Sequence, residues 1–188
     1  MRTLAFGLCL ALAGTASLVA SADPKPATLP AAELEKRWKP AASPSGRFST
    51  REFYALALEA AAADWHPERV ETLLAHGAAK QDRDPKSKTF GNLAWYWEDP
   101  LPVDRNCVQF CMQRGALLWI LFRDRLTPKA RATLEETMRF AVEGIRLHKV
   151  PPSYSNIYLK KIWTSLAIGE NTGRPDLAAE GRDRKSVV

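Results

Sequence analysis

Apolar residues recur along this chain at helical spacing, and no stretch alternates as a strand does. Ala31–Lys39 predicts a short helix ended by Pro40. Ser49-x-x-Glu52 has the form of a capping box and opens a helix to about Asp64. In that helix Phe53, Tyr54, Leu56, Ala57, Leu58 and Ala60–Ala63 are apolar almost all round, the mark of an element buried on most sides. Pro67 opens the next helix, to about Ala79, which has one apolar stripe (Val70, Leu73, Leu74) and so reads as an outer helix. Asp104 is placed to cap a helix running to about Arg123, and its second half, Gly115–Phe122, is again apolar all round. Thr127-Pro128 supplies a cap and a first-turn proline for a helix to about His148 with a single face of Leu134, Met138, Ala141, Val142 and Ile145. Pro151-Pro152 breaks the chain. Ser153 or Ser155 starts a helix to about Glu170, with Ile157, Leu159, Ile162, Trp163 and Leu166 inward. Asn171–Gly173 ends it, and Pro175 opens one more.

Buried and amphipathic helices thus alternate. That order predicts an all-α fold of helical hairpins with alternating inner and outer helices, a partial α/α toroid or solenoid rather than a four-helix bundle. Between the second and third pairs of breaks lies Gly91–Pro102, G-N-L-A-W-Y-W-E-D-P-L-P. Pro100 and Pro102 keep it out of helix. A loop carrying Trp95, Tyr96 and Trp97 either plugs a core or lines a binding surface.

Composition adds a few bounds. With 188 residues, 46% apolar and 26% charged, a single globular domain is expected. Arg2, the apolar run Leu4–Val19 and Ala20-Ser21-Ala22 read as a secretory signal over residues 1–22, cut before Asp23, and Cys9 within it has no lipoprotein context. The expectation is an exported chain, periplasmic or extracellular, with no membrane contact after cleavage. Residues 23–48 read as a flexible leader with one short helix, and 49–182 as the helical domain. Cys107 and Cys111 stand four apart on one helix, a poor spacing for a bridge, and read as small buried hydrophobes. The charge of +6 comes from scattered residues with no basic stripe, which suits an anionic polysaccharide better than nucleic acid. His66, His76 and His148 share no metal-ligand spacing. No metal, cofactor or protein partner is expected.

Asp183–Val188 can be back-translated as GAT CGG AAG AGC GTC GTG, which is how a common sequencing adapter reads in that frame. An Arg182 codon ending in A extends the match. The expectation is that the native sequence stops near Gly181, that 183–188 is a non-native tail, and that the chain is the front piece of a longer protein. Different codons in the nucleotide record would refute this.

Two groups of residues could carry chemistry. Trp95, Tyr96 and Trp97 offer flat faces for stacking on sugar rings, and Glu98 and Asp99 could bond hydroxyls. Asn156, between Tyr154 and Tyr158 at a helix start, could donate to a substrate carboxylate or could serve as a turn residue.

In the order of these features the chain resembles the catalytic domain of the hyaluronate/chondroitin/xanthan lyases, an α/α toroid with an N-W-W-x-W-E segment, an inner helix, an outer helix and an asparagine at a helix start. Trp95-Tyr96-Trp97-Glu98 resembles W-x-W-E, and Ser155-Asn156-Ile157 falls where the family has its active-site asparagine. The resemblance spans Gly91–Glu170. It departs at Leu93 and Ala94, which stand where the family has Asn and Trp, although Asn92 is one residue away. The resemblance implies that Asn156 neutralises a uronate carboxylate during β-elimination. It also implies that Asn92, Trp95, Tyr96, Trp97, Glu98 and Tyr154 bind substrate. The family's catalytic His and Tyr follow the asparagine helix, and no residue here takes those roles. The function this implies is that of the N-terminal part of an exported lyase acting on acidic glycans, inactive by itself. A toroidal glycoside hydrolase using Glu98 or Asp99, and a non-catalytic glycan-binding helical module, are the alternatives.

Overall fold

A computed structural model describes residues 28–185. The signal-peptide expectation for 1–22 and the last residues of the expected tail lie outside that range. Within it the chain is all helical: α1 (Ala31–Ala42), α2 (Thr50–Ala62), α3 (Pro67–Ala79), α4 (Cys107–Phe122), α5 (Pro128–Leu147), α6 (Ser155–Asn171) and α7 (Pro175–Lys185). A 3₁₀ turn, Arg123–Arg125, follows α4. Among the described residues extended pairing is confined to two isolated antiparallel bridges, Ser49 with Tyr96 and Gln81 with Leu93.

Consecutive helices pack as the pairs α2/α3, α4/α5 and α6/α7. Across pairs, α2 touches α4 and α4 touches α6, while α3 touches α5. Burial explains this order. Helix α5 buries the single stripe Leu134, Met138, Ala141, Val142 and Ile145. Thr127 caps it, its Oγ1 accepting from Ala130 N at 3.1 Å, and Pro128 occupies the first turn, where no N–H is needed. Arg146 ties α5 to α7 through Asp176 (2.6 Å) and Glu180 (2.8 Å). Hydrogen bonds from Arg174 and Arg146 hold the Asp176 carboxyl far below the usual carboxylate range.

Several expectations are corrected here. Helix α1 is not ended by Pro40 but continues to Ala42, with Ala41 fully buried. Pro40 cannot donate to the Lys36 carbonyl, yet the helix runs past it by two residues, and His76 Nδ1 meets the Ala41 carbonyl at 3.1 Å. Nor is α1 part of a flexible leader. Leu34 is fully buried, Arg37 forms ion pairs with Glu52 and Glu59 on α2, and Glu35 bonds Arg69 on α3 at 2.5 Å. The capping box is not made. Ser49 precedes α2 without a side-chain cap, and the Glu52 carboxylate, which would complete the box, is taken by Arg37 at 2.8 Å. Asp104 does not cap α4 directly. Its Oδ1 accepts from Asn106 N at 2.6 Å, one turn ahead of the helix.

Some apolar residues also differ. Leu159, expected inward, is half exposed, and Ile120 and Leu121 at the end of α4 reach solvent. Cys107 and Cys111 are buried and unbridged, their sulfurs 3.7 Å apart. Burial and the Cys111 thiol together push the Cys107 thiol far up, so it stays protonated.

Candidate functional site

The aromatic loop is an extended strip held between two neighbouring segments. On one side Gly91 N donates to Asp82 O (2.8 Å), Asp82 N to Asn92 O (2.9 Å) and Ala94 N to Lys80 O (3.0 Å). On the other, Thr50 N donates to Trp95 O (2.9 Å), Trp97 N to Phe48 O (2.8 Å) and Glu98 N to Gly46 O (3.1 Å). Asp82 fastens the base of the strip. Burial would raise its pKa, but hydrogen bonds from the Ser87 and Thr89 hydroxyls and the Asp84 N–H outweigh that and lower it. Much of the strip's backbone thus finds partners without a regular sheet.

The three aromatic rings have different surroundings. Trp97, half-buried like the other two, packs on the core residue Phe53 (5.9 Å between centroids) and on His76 (5.3 Å), and the Lys80 ammonium donates to its carbonyl at 2.8 Å. Trp95 is half-buried and packs on Phe110 of α4 at 5.4 Å. Tyr96, also half-buried, lies under the Arg47 guanidinium at 3.9 Å, and Glu98 is exposed beside Arg47. Of the two readings of this loop, core plug and binding surface, Trp97 fits the first. Trp95 and Tyr96 stand between the two.

Asn92 departs from its expected role in binding substrate. It is 1% exposed. Its Nδ2 donates to Asp104 O (3.0 Å), and its Oδ1 accepts from Val108 N (3.1 Å) in the first turn of α4. An amide spent in this way links the loop to the helix and, buried, does not face a ligand. Asn156 is exposed in the first turn of α6, its Oδ1 accepting from Ile157 N at 2.8 Å, and Tyr154 before it is 48% exposed.

The structure brings together residues that the sequence did not single out. A cleft of about 290 Å³ opens between the start of α2 and the middle of α4, lined by Ser49, Arg51, Glu52, Phe110, Gln113 and Arg114. Phe110 is its hub. Arg51 lies over the ring at 4.9 Å, Lys160 of α6 also at 4.9 Å, and Trp95 backs it. Lys160 donates to Gln113 Oε1 at 3.2 Å. Phe110 also packs with Ile157 and Tyr158, so the start of α6 adjoins the same ring. Ser49, at the cleft wall, is bridged to Tyr96. The loop, the cleft and the α6 start are therefore contiguous through Phe110 and Ser49.

Below α6 sits a second polar group. Gln109 donates to Asn106 O (2.8 Å) and Arg105 O (2.9 Å) and accepts from His148 Nδ1 (2.9 Å), an amide orientation assigned from its partners. The buried Lys161 ammonium donates to His148 O. Burial lowers the His148 pKa, and the nearby Lys161 charge lowers it further. A histidine with a depressed folded pKa adds stability that is present above about pH 6.5, its unfolded value, and is lost as pH falls through the folded pKa. Urea midpoints measured from pH 8 to pH 5 are expected to fall across that window in the wild type. They should flatten in His148→Gln; an equal slope in both would remove His148 as the cause.

Among the described residues no group of three or more His, Cys, Asp or Glu is placed to hold a metal ion. No helix there is long and apolar enough to cross a membrane. No protein-family model, curated protein or solved structure matches this chain. The chemistry of the site therefore rests on its own geometry.

Proposed function

We propose that this chain is the glycan-binding front part of an exported enzyme that cleaves acidic polysaccharides by β-elimination. One observation carries the reading: a cleft with an aromatic floor and cationic walls joins the aromatic loop to the start of α6. Apolar rings suit the faces of pyranoses, and cations suit carboxylates or sulfates. In this proposal Phe110 and Trp95 form the sugar platform, and Asn156, on the adjoining helix start, meets the uronate carboxylate. Removing charge from that carboxylate acidifies the C5 proton, and a base of suitable pKa must then take it. The resemblance to the lyases puts that base after the asparagine helix, in an α/α toroid that the hairpin pairs would begin.

The hydrolase reading asks for a free carboxylic acid in the cleft. The carboxylates nearby are engaged, Glu52 by Arg37, Glu98 by Arg47 and Asp99 by Tyr96 N at 3.1 Å.

The test is binding and turnover on uronate-containing tetrasaccharides. The chain is expected to bind them without producing the ultraviolet absorbance of an unsaturated uronide. Phe110→Ala and Trp95→Ala are each expected to weaken binding roughly 5–50-fold, the equivalent of ~1–2 kcal/mol. Turnover by this chain alone would refute its assignment as the non-catalytic part, and absence of any binding would refute the glycan reading.

A further inference from the structure

The cations around Phe110 are uncompensated. Arg51 and Arg114 both line the cleft, and among the described residues neither has a carboxylate within ion-pair distance. Lys160 approaches the same ring from α6 and has the neutral Gln113 as its hydrogen-bond partner. The one carboxylate lining the cleft, Glu52, is held by Arg37 at 2.5 Å, an arginine it shares with Glu59. Some other exposed cations on this chain do find acids, as Arg83 meets Glu136, Lys129 meets Glu71 and Arg182 meets Glu170, while Lys86 and Arg131, like Arg51 and Arg114, do not. Like charges that share a concave, partly apolar site repel one another, and an anion placed between them relieves that repulsion. The phenyl ring beneath limits hydration on one side, which strengthens any ionic bond made there.

We propose that Arg51 and Arg114, with Lys160 as a third cation, form an anion subsite that holds the carboxylate or sulfate ester of one sugar residue, whose ring lies on Phe110. This rests on the glycan reading above and assigns charge recognition to Arg51 of α2, Arg114 of α4 and Lys160 of α6, separately from Asn156. Arginine suits the task because its planar guanidinium can meet two oxygens of either group at once. The cleft volume, about 290 Å³, matches a single sugar ring with its charged substituent rather than a long chain.

Calorimetric titrations of four probes would test it: a uronate tetrasaccharide, a sulfated tetrasaccharide, a neutral β-1,4-glucan tetrasaccharide and sodium sulfate. They would be run on the wild type, Arg51→Gln, Arg114→Gln and the charge-keeping Arg114→Lys. Both arginines are exposed, so the variants should fold, and thermal melts would check this. Each Gln variant is expected to lose roughly 10–100-fold in affinity for the charged tetrasaccharides. Arg114→Lys should recover part of the loss, and the neutral tetrasaccharide should bind weakly and equally to all. A larger loss for one charged probe than for the other identifies the group recognised. Unchanged affinity in both Gln variants overturns the subsite and leaves the glycan reading standing. Sulfate binding that depends on the arginines, without any tetrasaccharide binding, supports the subsite and overturns the glycan reading. No binding of any probe overturns both.

Discussion

Gly91→Ala is expected to lower the stability of this chain by at least ~3 kcal/mol, or to prevent folding. Gly91 begins the aromatic loop with φ +77°, a left-handed conformation that costs an L-residue roughly 1–2 kcal/mol. Space is the larger problem. A Cβ there would stand 2.0 Å from Phe140 O and 2.6 Å from Gly144 N, both backbone atoms of α5. Backbone cannot swing aside as a flexible side chain can, so the loop or the helix must move. The contact is mutual, since a Cβ on Gly144 would meet Gly91 C at 2.7 Å and Asn92 N at 2.8 Å. Gly144→Ala should therefore also destabilise, although alanine raises helix propensity by ~1 kcal/mol. Gly173 separates the two costs. It has φ +69° with nothing within 4 Å of an added Cβ, so Gly173→Ala should cost only about 1 kcal/mol. Urea denaturation of the three variants measures this. A Gly91→Ala loss as small as that of Gly173→Ala would mean that the loop does not lie against α5.

Helices were legible where a single stripe fixed both period and burial. The α5 residues Leu134, Met138, Ala141, Val142 and Ile145 are all buried, and Thr127-Pro128 starts the helix as its chemistry requires. Leu159, Ile120 and Leu121 show the limit of that reasoning. Leu159 lies two residues from the buried Ile157 and so on the opposite face of α6, while Ile120 and Leu121 belong to a stretch apolar all round, which names no buried side. The glutamate half of the capping box failed for a related reason, because a long-range partner, Arg37, took Glu52. The Gly91–Gly144 contact was not legible at all. It joins two segments through backbone, and backbone leaves no side-chain pattern. The cleft lies between two helices, and only part of it left a local trace. Phe110, Gln113 and Arg114 share one face of α4, and neither Arg51 nor Arg114 has a carboxylate three or four residues away to pair with. Arginines without local partners, beside an aromatic at helical spacing, were the available signal.

Asn92→Ala is expected to cost about 2–4 kcal/mol of stability, which separates a structural asparagine from one that binds sugar. With 1% of its surface exposed, the residue supplies an acceptor to Val108 N–H and a donor to Asp104 C=O. Alanine fills the site with a methyl group and leaves both backbone groups without partners, at ~1–3 kcal/mol for each buried group. For a chain of this size that is a fall of roughly 5–15 °C in Tm. Asn92→Asp keeps the acceptor for Val108, and a carboxylate beside the first turn of α4 is favoured by the helix dipole by ~0.3–1 kcal/mol. It cannot donate to Asp104 O, so two acceptors then face each other. The aspartate variant should fall between wild type and Asn92→Ala near pH 7, and should regain stability at acid pH relative to wild type as the carboxyl takes up a proton and can donate. Glycan affinity of the folded fraction should change little in either variant, because the amide contacts only the loop and α4. If instead Asn92→Ala melted like the wild type and lost affinity more than tenfold, the asparagine would belong to the binding surface, and the loop would have to open to present it.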